Sequence, residues 1–199
     1  MPFYVVVTGI PASGKTTLAA ELARGLRFDH LDKDTFLDEL LAREGTITAG
    51  RRRELSRSAD AMLRAQAAAK SFAVLSSWWR HPASREDSGT DTGWLRQEGT
   101  QVIEIRCACP ADIAVGRFSA RRRHSGHLDA LRTRQSLLIQ LTEAERHGPL
   151  FPGPVLTCDT GSPVPAEVLA ELVASIRVRL ATRTIPDPSR GLPRSGNEP

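Results

Sequence analysis

Lysine is nearly absent from this chain: of 27 basic residues only Lys15, Lys33 and Lys70 are lysines, and the rest are arginines. Aromatic residues are sparse, with three tryptophans, one tyrosine and six phenylalanines. The cysteines are three, Cys107, Cys109 and Cys158; a small, odd number argues against a disulfide framework. No apolar run approaches the roughly 20 residues of a membrane-spanning helix. The start, Met1-Pro2-Phe3-Tyr4, lacks the basic region and apolar stretch of a secretory signal, so the cytoplasm is the expected compartment. With 40% hydrophobic and 25% charged residues in 199, the composition suits one soluble domain, or one domain plus a tail.

The formal charge of +4 is modest, which disfavours nucleic acid as a partner despite the basic balance. Codon usage in a GC-rich genome accounts for most of the arginine excess; selection for bidentate phosphate contacts is the functional alternative.

Short β-branched runs alternate with helical spacings. Residues 4–8, 28–31, 72–75, 101–107 and 155–158 read as strands, and 15–24, 35–43, 50–70, 110–123, 128–146 and 163–180 as helices. The alternation implies an α/β fold, a parallel sheet of five strands between two helical layers. Residues 1–181 form the expected domain, and 182–199, rich in Pro and Gly, read as a disordered tail.

The strongest signal is Gly9-Ile10-Pro11-Ala12-Ser13-Gly14-Lys15-Thr16, which meets G-x-x-x-x-G-K-[ST] at every fixed position, with a strand before it and a helix after it. The glycines let successive backbone N–H groups point at phosphate oxygens. The helix N-terminus, with Thr17 in its first turn, adds positive potential. In such a loop Lys15 reaches the β and γ phosphates and the Thr16 hydroxyl binds Mg²⁺. The third strand ends Leu75-Ser76-Ser77-Trp78 without an acid, and no Asn-Lys-x-Asp guanine reader is present. Both absences favour phosphoryl transfer to an acceptor over hydrolysis coupled to motion.

Leu31-Asp32-Lys33-Asp34-Thr35-Phe36 places two carboxylates at the end of the second strand. Asp34 suits the general base that takes the acceptor hydroxyl's proton; alternatively it caps the following helix. Asp32 is the second candidate, or holds Mg²⁺ through water. Taken together, these runs resemble the small P-loop kinases, such as zeta toxins, chloramphenicol phosphotransferase and gluconate kinase. In zeta toxins an Asp in a similar Asp-x-Asp-Thr-Phe run is the base, a role the resemblance carries to Asp34. It implies ATP, or alternatively GTP, with Mg²⁺.

Arg117 and Arg121 are spaced i, i+4, and Arg122 and Arg123 extend the charge to a break at Gly126. Residues 117–128 are therefore a candidate lid, with Arg117 and Arg121 stabilising transferred charge and Arg122 contacting nucleotide. The bland reading is a solvated basic face. The run Arg123-His124-Ser125-Gly126-His127-Leu128-Asp129 resembles the lid of a P-loop kinase-like group. The resemblance implies that the acceptor lies near the third strand's end, where Ser77, Trp78, Trp79 and Arg80 are candidates. Two adjacent tryptophans there are too bulky for both to be core, so one is free to stack on a ring.

The expected activity is transfer of a γ-phosphoryl group to a hydroxyl of a sugar, nucleoside-like compound or antibiotic, by a monomer or homodimer. The alternatives are a polynucleotide 5′-kinase, a toxin acting on sugar nucleotides, and a non-enzymatic nucleotide-binding regulator.

Overall fold

The computed structural model describes residues 1–84, 87–153 and 155–182. The order is β1 (Phe3–Thr8), α1 (Lys15–Leu26), β2 (Asp29–Asp32), α2 (Lys33–Leu41), α3 (Ala49–Ala68), β3 (Phe72–Ser76), β4 (Gln101–Ala108), α4 (Ala111–Ala120), α5 (Arg134–Glu145), β5 (Val155–Asp159) and α6 (Ala166–Thr182). All strand pairs are parallel, in the order β2-β3-β1-β4-β5. The tail expected over 182–199 lies outside the described residues, apart from Thr182, which ends α6.

β1 is buried along its whole length because both of its faces carry helices. Alternate residues face opposite ways in a strand. Phe3, Val5 and Val7 pack with Leu18 and Leu22 of α1 and Ile176 of α6. Tyr4 and Val6 pack on the other side with Leu63 and Ala67 of α3. Each such apolar side chain contributes about 1.5–3 kcal/mol when fully buried, so the central strand is held rigidly under the loop that follows it.

Chain direction across the sheet reverses at β1, which pairs with β3 on one side and β4 on the other. Ligands in such sheets bind at the carboxyl ends of the strands beside that reversal. The phosphate loop follows β1 there, flanked by the ends of β2 and β3 and by the segment after α4.

Local boundaries shift where tertiary contacts override spacing. The helix expected over 110–123 stops at Ala120, and Arg121 is extended (φ −70°, ψ 146°). Arg117 and Arg121 therefore do not share a helical face. The expected helix over 128–146 begins only at Arg134; before it come tight turns at Ser125–His127 and Asp129–Leu131.

Candidate active site

The phosphate loop closes over the top of β1. Gly9 sits at φ +137°, and a Cβ there would meet Ser13 Oγ at 2.7 Å and Cys107 Cβ and O at 2.9 Å. Only glycine fits, because the loop rests directly on β4. Gly14, at φ +94°, starts α1 in the left-handed region. Ala12 adopts φ +61° between them, so the chain curls around a small space. Pro11, with its φ preset, lies in that curl.

Lys15 is buried, and its ammonium donates to the Ile10 carbonyl at 2.7 Å, across the loop. Burial pushes its pKa down, against the pull of Cys107, Asp34 and Asp32. Ser13 Oγ is fully buried with no hydrogen-bond partner apart from the Cys107 thiol beside it. A desolvated ammonium and a buried hydroxyl, bonded only to a weak thiol partner, around a backbone curl suit a polyanion, and the donor set fits nucleotide phosphates. Thr16 and Thr17 are exposed at the first turn of α1. The Cys107 thiol under Gly9 is pushed up to about 12 by burial, and all three cysteines are buried and unpaired.

Asp32, not Asp34, caps α2: its Oδ1 accepts from the Asp34 backbone N–H at 2.9 Å. That removes the capping alternative for Asp34. Its carboxylate is half exposed and free of the helix end, and it pairs with Arg123 Nη2 at 2.9 Å. A pair this exposed is worth about 0–1 kcal/mol. Asp32 is buried and has a second oxygen outside the cap. No cluster of three or more metal-ligating side chains occurs among the described residues. A magnesium ion would rest on Thr16, that Asp32 oxygen through water, and the phosphates themselves.

The arginines of the segment expected to be a lid take four different places. Arg117 donates to the carbonyls of Thr160 at 2.7 Å and Gly161 at 2.8 Å, fastening α4 to the loop after β5. Arg121 lies 3.9 Å over the Phe118 ring and pairs with Asp129 at 3.0 Å, leaving its Nε–H buried without an acceptor. Arg122 is exposed. Arg123, which the spacing did not single out, reaches Asp34 and donates to His127 Nδ1 at 2.5 Å. His127 in turn hydrogen-bonds Asp38 Oδ1 at 2.5 Å.

Beyond the end of β3 the two tryptophans separate. Trp79 is 5% exposed and donates from its indole to the Val7 carbonyl at 2.9 Å, so it belongs to the core. Trp78 is half-buried and lines a cavity of about 760 Å³ that reaches Gly9 and Ile10. Arg80 also lines it, paired with Asp87 and, at 3.6 Å, with Asp91. Ser77 is buried and donates to Thr90 Oγ1 at 2.5 Å; Thr90 donates to Asp60 at 2.6 Å, and Asp60 pairs with Lys33 at 2.7 Å. Asp60, on α3, thus brings to this strand end the acid that Ser76 and Ser77 lack. No local pattern marks it; only the packing of α3 brings it there. Of the arginines opening α3, Arg51 is exposed and paired with Glu44 and Glu54. Arg52 is turned inward and makes no ion pair among the described residues; burial lowers its pKa while Asp34 raises it.

Three histidines record this packing. His30, His81 and His127 all have pKa values below the ordinary range, chiefly through burial. When folding lowers a histidine's pKa, the unfolded chain binds more protons between the two values, so stability rises with pH there. Stability from the neutral rings is complete above the unfolded value, near 6.5, and is lost as pH falls through it toward the folded values. The thermal midpoint is expected to drop on acidification from about pH 7.5 to about pH 5.5, less steeply in His127→Gln. A flat profile in the wild type would contradict neutral burial of these rings.

A family model described as "AAA domain" matches residues 5–140. No curated protein matches the chain in sequence. Among solved structures, a protein from Chloroflexus aurantiacus, provisionally assigned as a kinase, is 28% identical. Its TM-score is 0.70, covering 92% of this chain and 98% of that one. A sugar kinase from a Janibacter species is 23% identical (TM-score 0.54, 91% and 98% covered), and a gluconokinase from Sinorhizobium meliloti 16% identical (TM-score 0.58, 92% and 98% covered). These two likenesses are of fold. No helix among the described residues is long and apolar enough to cross a membrane. With the phosphate loop, the β2-β3-β1-β4-β5 sheet and the matched span together, the chain belongs to the AAA domain family and has the fold of the small P-loop kinases.

Proposed function

We propose that the protein is a magnesium- and ATP-dependent kinase that phosphorylates a hydroxyl group of a small molecule. The observation that carries this reading is the meeting of a buried Lys15 in the phosphate loop, an uncapped carboxylate at Asp34 and a lid arginine on that carboxylate. The gluconokinase and sugar kinase of similar fold are named for hydroxylated acceptors. Bound magnesium–ATP supplies the phosphoryl group and a leaving group whose charge the metal partly neutralises.

The chain's own residues do the rest. Asp34 accepts the proton of the acceptor hydroxyl as its oxygen bonds to the γ phosphorus. The bond from that phosphorus to the bridging oxygen breaks, and ADP leaves with the electron pair. Lys15 and the loop N–H groups hold the phosphates, and lid arginines meet charge spreading over the transferred group. The cavity beside Trp78 reaches the phosphate loop at Gly9 and Ile10 but is not lined by Asp34, so the reacting hydroxyl would sit outside it, against Asp34.

An acceptor screen by mass spectrometry, with ATP and GTP in parallel, tests the proposal. Sugars, nucleosides, hydroxylated antibiotics and a 5′-hydroxyl oligonucleotide are offered with and without Mg²⁺. The expected result is gain of one phosphate on a small molecule, dependent on Mg²⁺. Transfer confined to the oligonucleotide, with strong salt dependence, would replace this reading by a polynucleotide kinase. Nucleotide binding without transfer to any acceptor would replace it by a regulator.

A further inference from the structure

A continuous polar chain joins the lid to α2. Asp34 Oδ2 takes Arg123 Nη2 at 2.9 Å, the same guanidinium donates to His127 Nδ1 at 2.5 Å, and His127 Nε2 reaches Asp38 Oδ1 at 2.5 Å. Arg123 Nη2 lies along the ring edge, 2.5 Å from Nδ1 and 3.1 Å from Nε2; a guanidinium only donates, so for a neutral ring the nearer Nδ1 is assigned as acceptor and Nε2 as donor to Asp38. Asp34 and Asp38 are one turn apart, so a single face of α2 carries both anchors. Beside this chain Gly126 is pressed onto the end of α2. A Cβ on it would come within 2.8 Å of Leu41 Cδ2 and nearer still to Ile47 Cδ1.

The two ends of the chain differ in kind. The His127 side chain is 1% exposed, set by the close seat of Gly126. The Arg123 end is looser: its Nη2 meets a carboxylate that is 52% exposed, and its Nη1 stands 3.9 Å from Asp129. Water screens such a contact, so a multiply charged anion nearby outcompetes it. Nucleotide phosphates bound by Lys15 and the loop would be that anion.

We infer that the chain is a latch with one exchangeable end: Arg123 occupies Asp34 until nucleotide phosphates draw its guanidinium away, while His127, Asp38 and Gly126 keep the lid seated. The inference rests on the reading of Asp34 as the base. Nucleotide must then bind before the acceptor is activated, because Asp34 is engaged until Arg123 leaves it. His127 and Asp38 are positioning residues that act through Arg123.

Tryptic cleavage after Arg121, Arg122 or Arg123 in the full chain, followed by mass spectrometry, reads the latch without turnover. Cleavage of an opened segment tracks its open population when reclosing is fast. In nucleotide-free protein, Asp38→Asn and Gly126→Ala should each be cut about tenfold faster than wild type, with circular dichroism unchanged. A non-hydrolysable ATP analogue should leave wild-type cleavage slow. A double-mutant cycle of Arg123→Ala with Asp34→Asn, read only at Arg121 and Arg122, which all four proteins keep, should show coupling in this rate without the analogue and none at saturation. Wild-type cleavage in both Asp38→Asn and Gly126→Ala would overturn the latch. Coupling that persists in the presence of the analogue would overturn the exchange. If the latch and exchange behave as stated while no acceptor gains phosphate, the kinase reading fails and the latch stands.

Discussion

Lys15→Ala is expected to lower phosphoryl transfer by about 10²–10³-fold or more, the scale set by loss of one preorganised charged donor, while the protein stays folded. Lys15 lies outside the apolar clusters on either side of the sheet, so its removal opens no cavity in them. The ammonium is buried, and among the described residues it donates to the Ile10 carbonyl. Burial disfavours its charged form. The lysine is thus held at an energetic disadvantage until an anion arrives. Two measurements should move in opposite senses: transfer and nucleotide affinity collapse, while the thermal midpoint holds or rises. Lys15→Arg should not rescue, because a planar fork does not replace a compact ammonium in a closed loop. Transfer within a few-fold of wild type in Lys15→Ala would remove the phosphate loop from the proposed mechanism.

Asp34→Asn should reduce kcat by about 10²–10⁴-fold, the range for loss of a general base, with nucleotide affinity little changed. The asparagine keeps the shape and loses only the proton acceptor. The fold is indifferent to the change, because the cap of α2 belongs to Asp32 and the Arg123 pair is half exposed. Asp32→Ala provides the contrast. It removes the cap, at about 1 kcal/mol, and should lower the thermal midpoint. If Asp34→Asn transferred phosphate at the wild-type rate while Asp32→Asn did not, the base would be Asp32.

The phosphate loop was legible because its requirements are local. Eight consecutive residues specify the curl, the helix start and the lysine. The five strands were legible for a related reason: Tyr4-Val5-Val6-Val7 and Phe72-Ala73-Val74-Leu75 are short, apolar and bounded by turns, and burial between two helical layers demands that composition. Helix ends were less legible. The run Arg117 to Arg123 has helical spacing, yet α4 stops at Ala120, where Arg121 turns onto Phe118 and toward Asp129.

The arginine scarcely distinguished in sequence, Arg123, is the one on Asp34, and its neighbour Arg117 serves the loop after β5 instead. Spacing along one helix cannot report which carboxylate or carbonyl another segment presents. Trp78 and Trp79 make the same point. They are adjacent and identical in type, but the isolated bridge to Thr90 and the Val7 carbonyl hold one in the core and leave the other on the cavity. Asp60 belongs to α3 in sequence and to the end of β3 in space.

By itself, then, the chain's order of residues determined the α/β architecture, the phosphate loop and the pair of acids after β2, all of which depend on near neighbours. Tertiary structure alone decided which acid caps α2, which arginine meets the other acid, and that His127 and Gly126 pack against α2. Those outcomes depend on distances between segments far apart in the chain, and such distances are set by the packing of helices on the sheet.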